Sequence, residues 1–224
     1  GNRRYYSIKL GNGLVELFIL HSGYNTAGTL LEPDGNAVGS AQHSWFVNAL
    51  RESTARYKFV FRHHPHITSE DTAGVTFAAL NWPELAQADA VFSGHAHLTE
   101  EFVHSGVHHF NRSGTVKDDG DTDLALHGTG ASLASLIKVN ADTPLYARMT
   151  VTPASATIEW IEILTGRVVY STTTDNMRPQ YGTWESEVMA PDIDVVDGTY
   201  PCGRTTAGYV VDKWVVQVVD QSSD

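Results

Sequence analysis

Apolar and polar positions divide the chain into short, well-punctuated elements. Tyr5–Leu10 and Leu14–Leu20 are strand-like runs, and Gly11-Asn12-Gly13 between them reads as a hairpin turn, because those residues tolerate positive φ cheaply. Residues 22–39 turn to Gly, Asn, Thr, Asp and Pro, the composition of a surface loop. Ser40 then suits the N-cap of a helix to about Ser53, with Trp45, Phe46, Ala49 and Leu50 on one face. Tyr57–Phe61 is a short strand that stops at Arg62-His63-His64-Pro65. A second helix is expected over residues 76–87, interrupted by Pro83, and Ala88–Phe92 is a strand that stops at Ser93-Gly94-His95-Ala96-His97. Strand, helix and strand in alternation predict a parallel α/β sheet.

Beyond this point the period changes. Phe102–His104 and Val107–Phe110, joined by Ser105-Gly106, read as a hairpin. After an acidic loop at Lys117–Asp123 come β-patterned segments at Leu133–Val139, Tyr146–Thr152, Ala156–Ile163 and Arg167–Thr172. Residues 175–204 are rich in Pro, Gly, Asp and Thr, and Tyr209–Val219 alternates as one more strand. The expected division is residues 1–174 as an α/β unit and 175–224 as a β-containing extension. The first residues run straight into strand-like sequence without an initiator Met or a basic-then-apolar leader, which reads as a cut edge.

Composition narrows the chemistry. The net charge of −11, from 26 acids against 15 Lys and Arg, argues against a broad nucleic-acid or anionic-membrane surface. No apolar run approaches the ~20 residues of a membrane-spanning helix. The single cysteine, Cys202, cannot form an internal bridge. There is no Gly-x-Ser-x-Gly elbow and no phosphate-binding glycine loop, which speaks against a serine hydrolase or a nucleotide cofactor. Asp119-x-Asp121-x-Asp123 lacks the following Gly and distal Glu of a calcium loop, and Asn111-Arg112-Ser113 is a glycosylation sequon.

Histidine is the unusual residue, with 11 copies in an acidic chain, and most of them fall between residues 63 and 109. Two strands of the expected parallel sheet each end directly in a histidine-bearing turn, and ligands bind open α/β sheets beyond the carboxyl ends of their strands. Neutral imidazoles meeting there suit Zn, Fe, Mn or Ni better than Ca. Gly94 is expected to let the backbone turn sharply beneath His95 and His97. His64 and His66 stand in the first of these turns and are left unassigned.

Phe59-Val-Phe-Arg-His63-His64-Pro65 and Asp89-Ala-Val-Phe-Ser-Gly94-His95-Ala-His97 resemble the last two metal-binding motifs of calcineurin-like metallophosphoesterases, in the branch of purple-acid-phosphatase-like and bacterial secreted enzymes. Arg4-Tyr5-Tyr6-Ser7 before a strand, Gln42-x-x-Trp45-Phe46 opening a helix and the stretch Gly128–Gly130 agree with it, so the resemblance covers residues 3–172. It implies a layered α/β fold, of which this chain carries the C-terminal half. It also implies a centre of two metals, commonly Fe, Zn or Mn, that generates hydroxide for attack on a small phosphate ester. In that pattern His63 and His95 share one metal and His97 ligates the other, while no catalytic residue is assigned. A periplasmic or extracellular setting is part of the same implication.

The departures are equally specific. The Asp-x-His, Gly-Asp and Gly-Asn-His motifs that should precede the histidine turns do not precede them here, and His21 stands where relatives commonly carry an acid. The chain is therefore expected to be the C-terminal portion of such an enzyme and to show little turnover by itself. Two alternatives compete: a metal-binding protein without catalysis, and a β-rich binding module in which the histidines are incidental.

Overall fold

The computed structural model describes residues 4–23, 32–68, 78–95, 99–111, 127–128, 136–140, 145–175 and 214–218. Strands β1 (Tyr6–Leu10) and β2 (Val15–Ile19) form the expected antiparallel hairpin. Its turn holds Gly11, Asn12 and Gly13 all at positive φ, which only glycine and asparagine accept readily. Helix α1 (Ala41–Glu52) starts where the sequence places it, because the Ser40 side chain accepts from the His43 N–H and satisfies an otherwise orphaned donor. β3 (Tyr57–Phe61) follows, then the two-residue β4 (Ile67–Thr68).

The expected second helix does not form. Ala78–Leu80 and Pro83–Gln87 are separate 3-10 turns. Pro83 supplies no N–H to a continuing α-helix, and the Trp82 indole N–H just before it donates to the carbonyls of Asn36 (2.8 Å) and Ala79 (3.0 Å). The chain continues through β5 (Ala90–Ser93), β6 (Thr99–His104), β7 (Val107–Asn111), β8 (His127–Gly128), β9 (Leu136–Asn140), β10 (Leu145–Val151), β11 (Ser155–Glu162), β12 (Val168–Asp175) and β13 (Trp214–Val218). The β4–β8 bridge has no counterpart in the hydrophobic pattern.

A seven-stranded sheet runs β1-β2-β3-β5-β7-β6-β9, and a four-stranded sheet runs β12-β11-β10-β13. Within the larger sheet β2, β3, β5 and β7 are mutually parallel neighbours, while β1, β6 and β9 pair antiparallel. One face packs Leu17, Tyr57, Phe59, Phe92 and Phe110 against Met149, Ile158 and Trp160 of the smaller sheet. The other packs Phe18, Val60, Val91 and Val107 against Phe46 and Leu50 of α1, with Trp82 and Leu85. Strands buried on both faces carry near-continuous apolar runs, as Tyr-Lys-Phe-Val-Phe does in β3. Each fully buried aromatic of this kind contributes about 2–3 kcal/mol, enough to hold the carboxyl ends of β3 and β5 in fixed register. The result is a mixed α/β architecture of helix, sheet and second sheet in layers.

Candidate metal centre

Backbone hydrogen bonds beyond the regular ladder lace the strand ends together. Leu20 N–H donates to Phe61 O (2.8 Å), Arg62 N–H to Phe92 O (3.0 Å) and Gly94 N–H to His63 O (2.8 Å). These bonds put the turns after β3 and β5 side by side. His63, His64 and His95 converge there, each offering a ring nitrogen, and the chosen nitrogens all lie within 4.8 Å of one another. His95 Nδ1 and His63 Nε2 are 3.3 Å apart. Two nitrogens bound to one tetrahedral Zn at ~2.05 Å stand about 3.4 Å apart, so this pair already has the spacing of a shared cation.

The expectation about Gly94 is corrected in detail. The left-handed residue of the turn is His95 itself, at φ 66°. A non-glycine residue there is held against its own preference, and such strain gathers at functional positions.

His64 is the member that sequence reasoning left unassigned. It is 5 % exposed, whereas His63 and His95 reach solvent. Its backbone N–H donates to Ser22 Oγ (2.9 Å), and its Nδ1 lies 3.2 Å from the same oxygen. Burial, reinforced by His63 and His95, lowers its pKa to about 3. It is therefore neutral across the physiological range, the protonation state in which imidazole coordinates a cation. The Ser22 contact crosses 42 positions of sequence, and no local pattern announces it.

The other expected ligand, His97, lies outside the described residues, as does the acidic loop at 117–123. His21, at the end of β2, has its main chain held by the Gln42 side chain, which accepts from His21 N–H (2.7 Å) and donates to His21 O (2.9 Å). Its Nδ1 is 2.7 Å from Glu32 Oε2, and Arg4 Nε donates to both oxygens of that buried carboxylate (3.1 and 3.2 Å). His43 and His108 are structural: the first contacts Glu84 (2.9 Å) and the edge of Trp82, the second Glu101 (2.6 Å). The sequon asparagine, Asn111, is buried at 2 % exposure, and its side-chain amide donates to Ile67 O and Glu100 Oε1. In the folded chain it is no glycan site.

No family model matches the chain, and no curated protein does. Solved structures do resemble it. The purple acid phosphatase PPD1 of yellow lupin (Lupinus luteus) superposes with a TM-score of 0.54 at 12% identity, over 84% of this chain and 36% of the lupin chain. GAP50, the anchor in the inner membrane complex of Plasmodium, gives 0.49 at 12% identity, over 76% of this chain and 54% of its own. PhoD gives 0.47 at 15% identity, over 76% of this chain and 40% of its own. At 12% identity the lupin likeness speaks for the fold, the layered α/β arrangement that the histidine motifs imply. The chain spans about a third of the lupin protein's length.

Proposed function

We propose that these residues form the strand-end histidine half of a metal centre that hydrolyses phosphate esters, in the manner of metallophosphoesterases. The observation that carries this reading is the convergence of His63, His64 and His95 beyond the carboxyl ends of two parallel strands. When bound, the metal supplies positive charge for the phosphoryl oxygens and lowers the pKa of a bound water. His63 and His95 would hold it, with neutral His64 beside them, and His97 would serve a second ion by the family pattern. The strained His95 backbone and the Ser22 contact to His64 keep these rings oriented before a cation arrives. A small phosphate ester is the favoured substrate, because a net charge of −11 repels extended polyanions while a bound cation reverses the field locally. The hydrolytic activity is proposed for the polypeptide that carries the preceding carboxylate motifs.

The test is metal analysis of the purified chain after chelation and reloading with Zn(II), Mn(II) or Fe(III). About one ion per chain is expected, lost in His63→Ala and His95→Ala, with aryl phosphate turnover close to background. Metal-free protein under all loading conditions, or metal content unchanged in His95→Ala, would overturn the assignment.

A further inference from the structure

The metal centre proposed above contains one histidine more than the sequence motifs call for. His63 and His95 each follow a strand of the parallel sheet, and their facing nitrogens stand 3.3 Å apart. His64 shares the same space. Its ring centroid lies 4.7 Å from that of His63, with the planes at 86°, and 4.4 Å from that of His95, with the planes at 42°. The main chain fixes all three positions: Arg62 N–H donates to Phe92 O (3.0 Å), Gly94 N–H to His63 O (2.8 Å) and His64 N–H to Ser22 Oγ (2.9 Å). Among the described residues, no carboxylate or thiol joins the group.

The spacing suits one cation on three imidazoles. Three nitrogens that all lie within 4.8 Å of one another share a point no more than about 2.8 Å from each. A Zn–N bond is about 2.0–2.1 Å, so each nitrogen needs to move by less than about 1 Å, within reach of small side-chain rotations. Exposure differs across the trio: His64 is buried, while His63 and His95 are exposed. A cation seated on His64 has protein behind it and solvent before it, as in sites with three protein ligands and one open position. The donors also narrow the ion. Imidazole nitrogen suits Zn(II) and neighbouring borderline cations, whereas Mn(II), Mg(II) and Ca(II) are served by oxygen ligands.

We infer, on the reading of this cluster as a metal centre, that His64 is a third ligand. His63, His64 and His95 then hold one zinc-like divalent cation by themselves, without His97 and without a carboxylate. The resemblance to metallophosphoesterases implies an ion shared by His63 and His95 and a second ion on His97; the trio needs neither the second ion nor the motifs that complete it. Ser22, held to the His64 main chain and 3.2 Å from its Nδ1, keeps the third ring beside the other two.

The experiment loads the full chain, labelled with ¹⁵N-histidine, with ¹¹³Cd(II) as a zinc surrogate, and one-bond ¹¹³Cd–¹⁵N coupling marks each coordinating ring nitrogen. Three coupled histidines, His63, His64 and His95, are expected in the wild type and equally in His97→Ala. His64→Gln should show two, with Zn(II) affinity lower by about 100-fold or more. An uncoupled His64 in the wild type, unchanged Zn(II) affinity in His64→Gln, or loss of the ion in His97→Ala would overturn the third ligand. Equal affinity for Mn(II) and Zn(II) would show that oxygen donors complete the site and would overturn it too. If His64→Gln does not fold, the couplings in the wild type and His97→Ala decide alone. An ion on His63 and His95 only, with aryl phosphate hydrolysis by the polypeptide that carries the preceding carboxylate motifs, counts against this ligand and leaves the proposed function standing. An ion on all three histidines, without hydrolysis by that polypeptide, counts against the proposed function alone.

Discussion

Ser22 and His64 touch twice: one hydroxyl oxygen accepts the His64 backbone N–H at 2.9 Å and lies 3.2 Å from His64 Nδ1. A hydroxyl has two acceptor lone pairs, so the same oxygen can take both N–H groups and leave Nε2 of His64 unprotonated. Ser22 thereby joins the segment after β2 to the turn after β3 and holds the His64 ring in place beside His63 and His95.

Removing that oxygen should weaken metal binding without abolishing the fold. Ser22→Ala is expected to lower Zn(II) affinity by about 10–100-fold, and Ser22→Thr to retain most of it. Competition with a chromophoric chelator reads the difference. Equal affinity in Ser22→Ala and the wild type would show that Ser22 does not orient the site.

His95 provides a test of stored backbone strain. At φ 66° an L-residue with a Cβ costs about 1–2 kcal/mol more than glycine, partly offset by glycine's greater freedom in the unfolded chain. In metal-free protein His95→Gly should therefore unfold at higher urea than His95→Ala, by about 1 kcal/mol. Both lose the metal equally, so affinity and stability separate. If His95→Ala proves as stable as His95→Gly, the turn holds no strain of this kind.

Much of this arrangement was legible beforehand because its signals are local. The Gly11-Asn12-Gly13 turn, the Ser40 cap, the β3 run and the two histidine turns each declare themselves within a few residues. What was illegible depends on distant partners. Ser22 meets His64, Asn111 meets Ile67 and Glu100, and Trp82 meets Asn36, each across a separation that no periodicity encodes. The false helix over 76–87 has the same origin: its apolar spacing suits a helix, but the tertiary hydrogen bonds of Trp82 and the missing N–H of Pro83 favour two tight turns. Likewise His66, just before β4, and His109, in β7, lie 43 positions apart and meet with ring centroids 4.8 Å apart, a contact that no local pattern encodes.

Acid should destabilise the metal-free protein earlier than its carboxylates alone would dictate. Burial holds His64 near 3 and pushes His66 and His109 well below the ordinary histidine value of 6.5, with Arg62 adding to the effect on the last two. Their folded pKa values lie below the unfolded ones, so below 6.5 the unfolded chain binds more protons and stability falls with pH. The loss begins at about 6.5 and, for His64, continues to about 3, with each histidine contributing up to ~1.4 kcal/mol per pH unit. Urea midpoints at pH 7 and pH 5 should differ accordingly, and less so in His64→Gln. A flat profile across that window would mean that these rings are solvated.

Asn111 turns a sequence motif into a folding constraint. Its amide satisfies the Ile67 carbonyl and a fully buried Glu100 carboxylate that also accepts from Thr68 Oγ1. In Asn111→Leu the side chain keeps its bulk but both acceptors lose a donor, and an unsatisfied buried acceptor costs about 1–3 kcal/mol, more when it is charged. The variant should lower the urea midpoint by at least that much, whereas Asn111→Gln, with the same amide on a longer arm, should recover part of it. The same burial decides the sequon. A glycan added to Asn111 during synthesis would have to be expelled from between β4 and β6, so chain secreted from a glycosylating host should contain a folded fraction without sugar and a glycosylated fraction that does not fold. Mass spectrometry of the two fractions after limited proteolysis separates these outcomes, and a protease-resistant chain carrying sugar on Asn111 would show that this side chain can leave its buried partners while the fold persists.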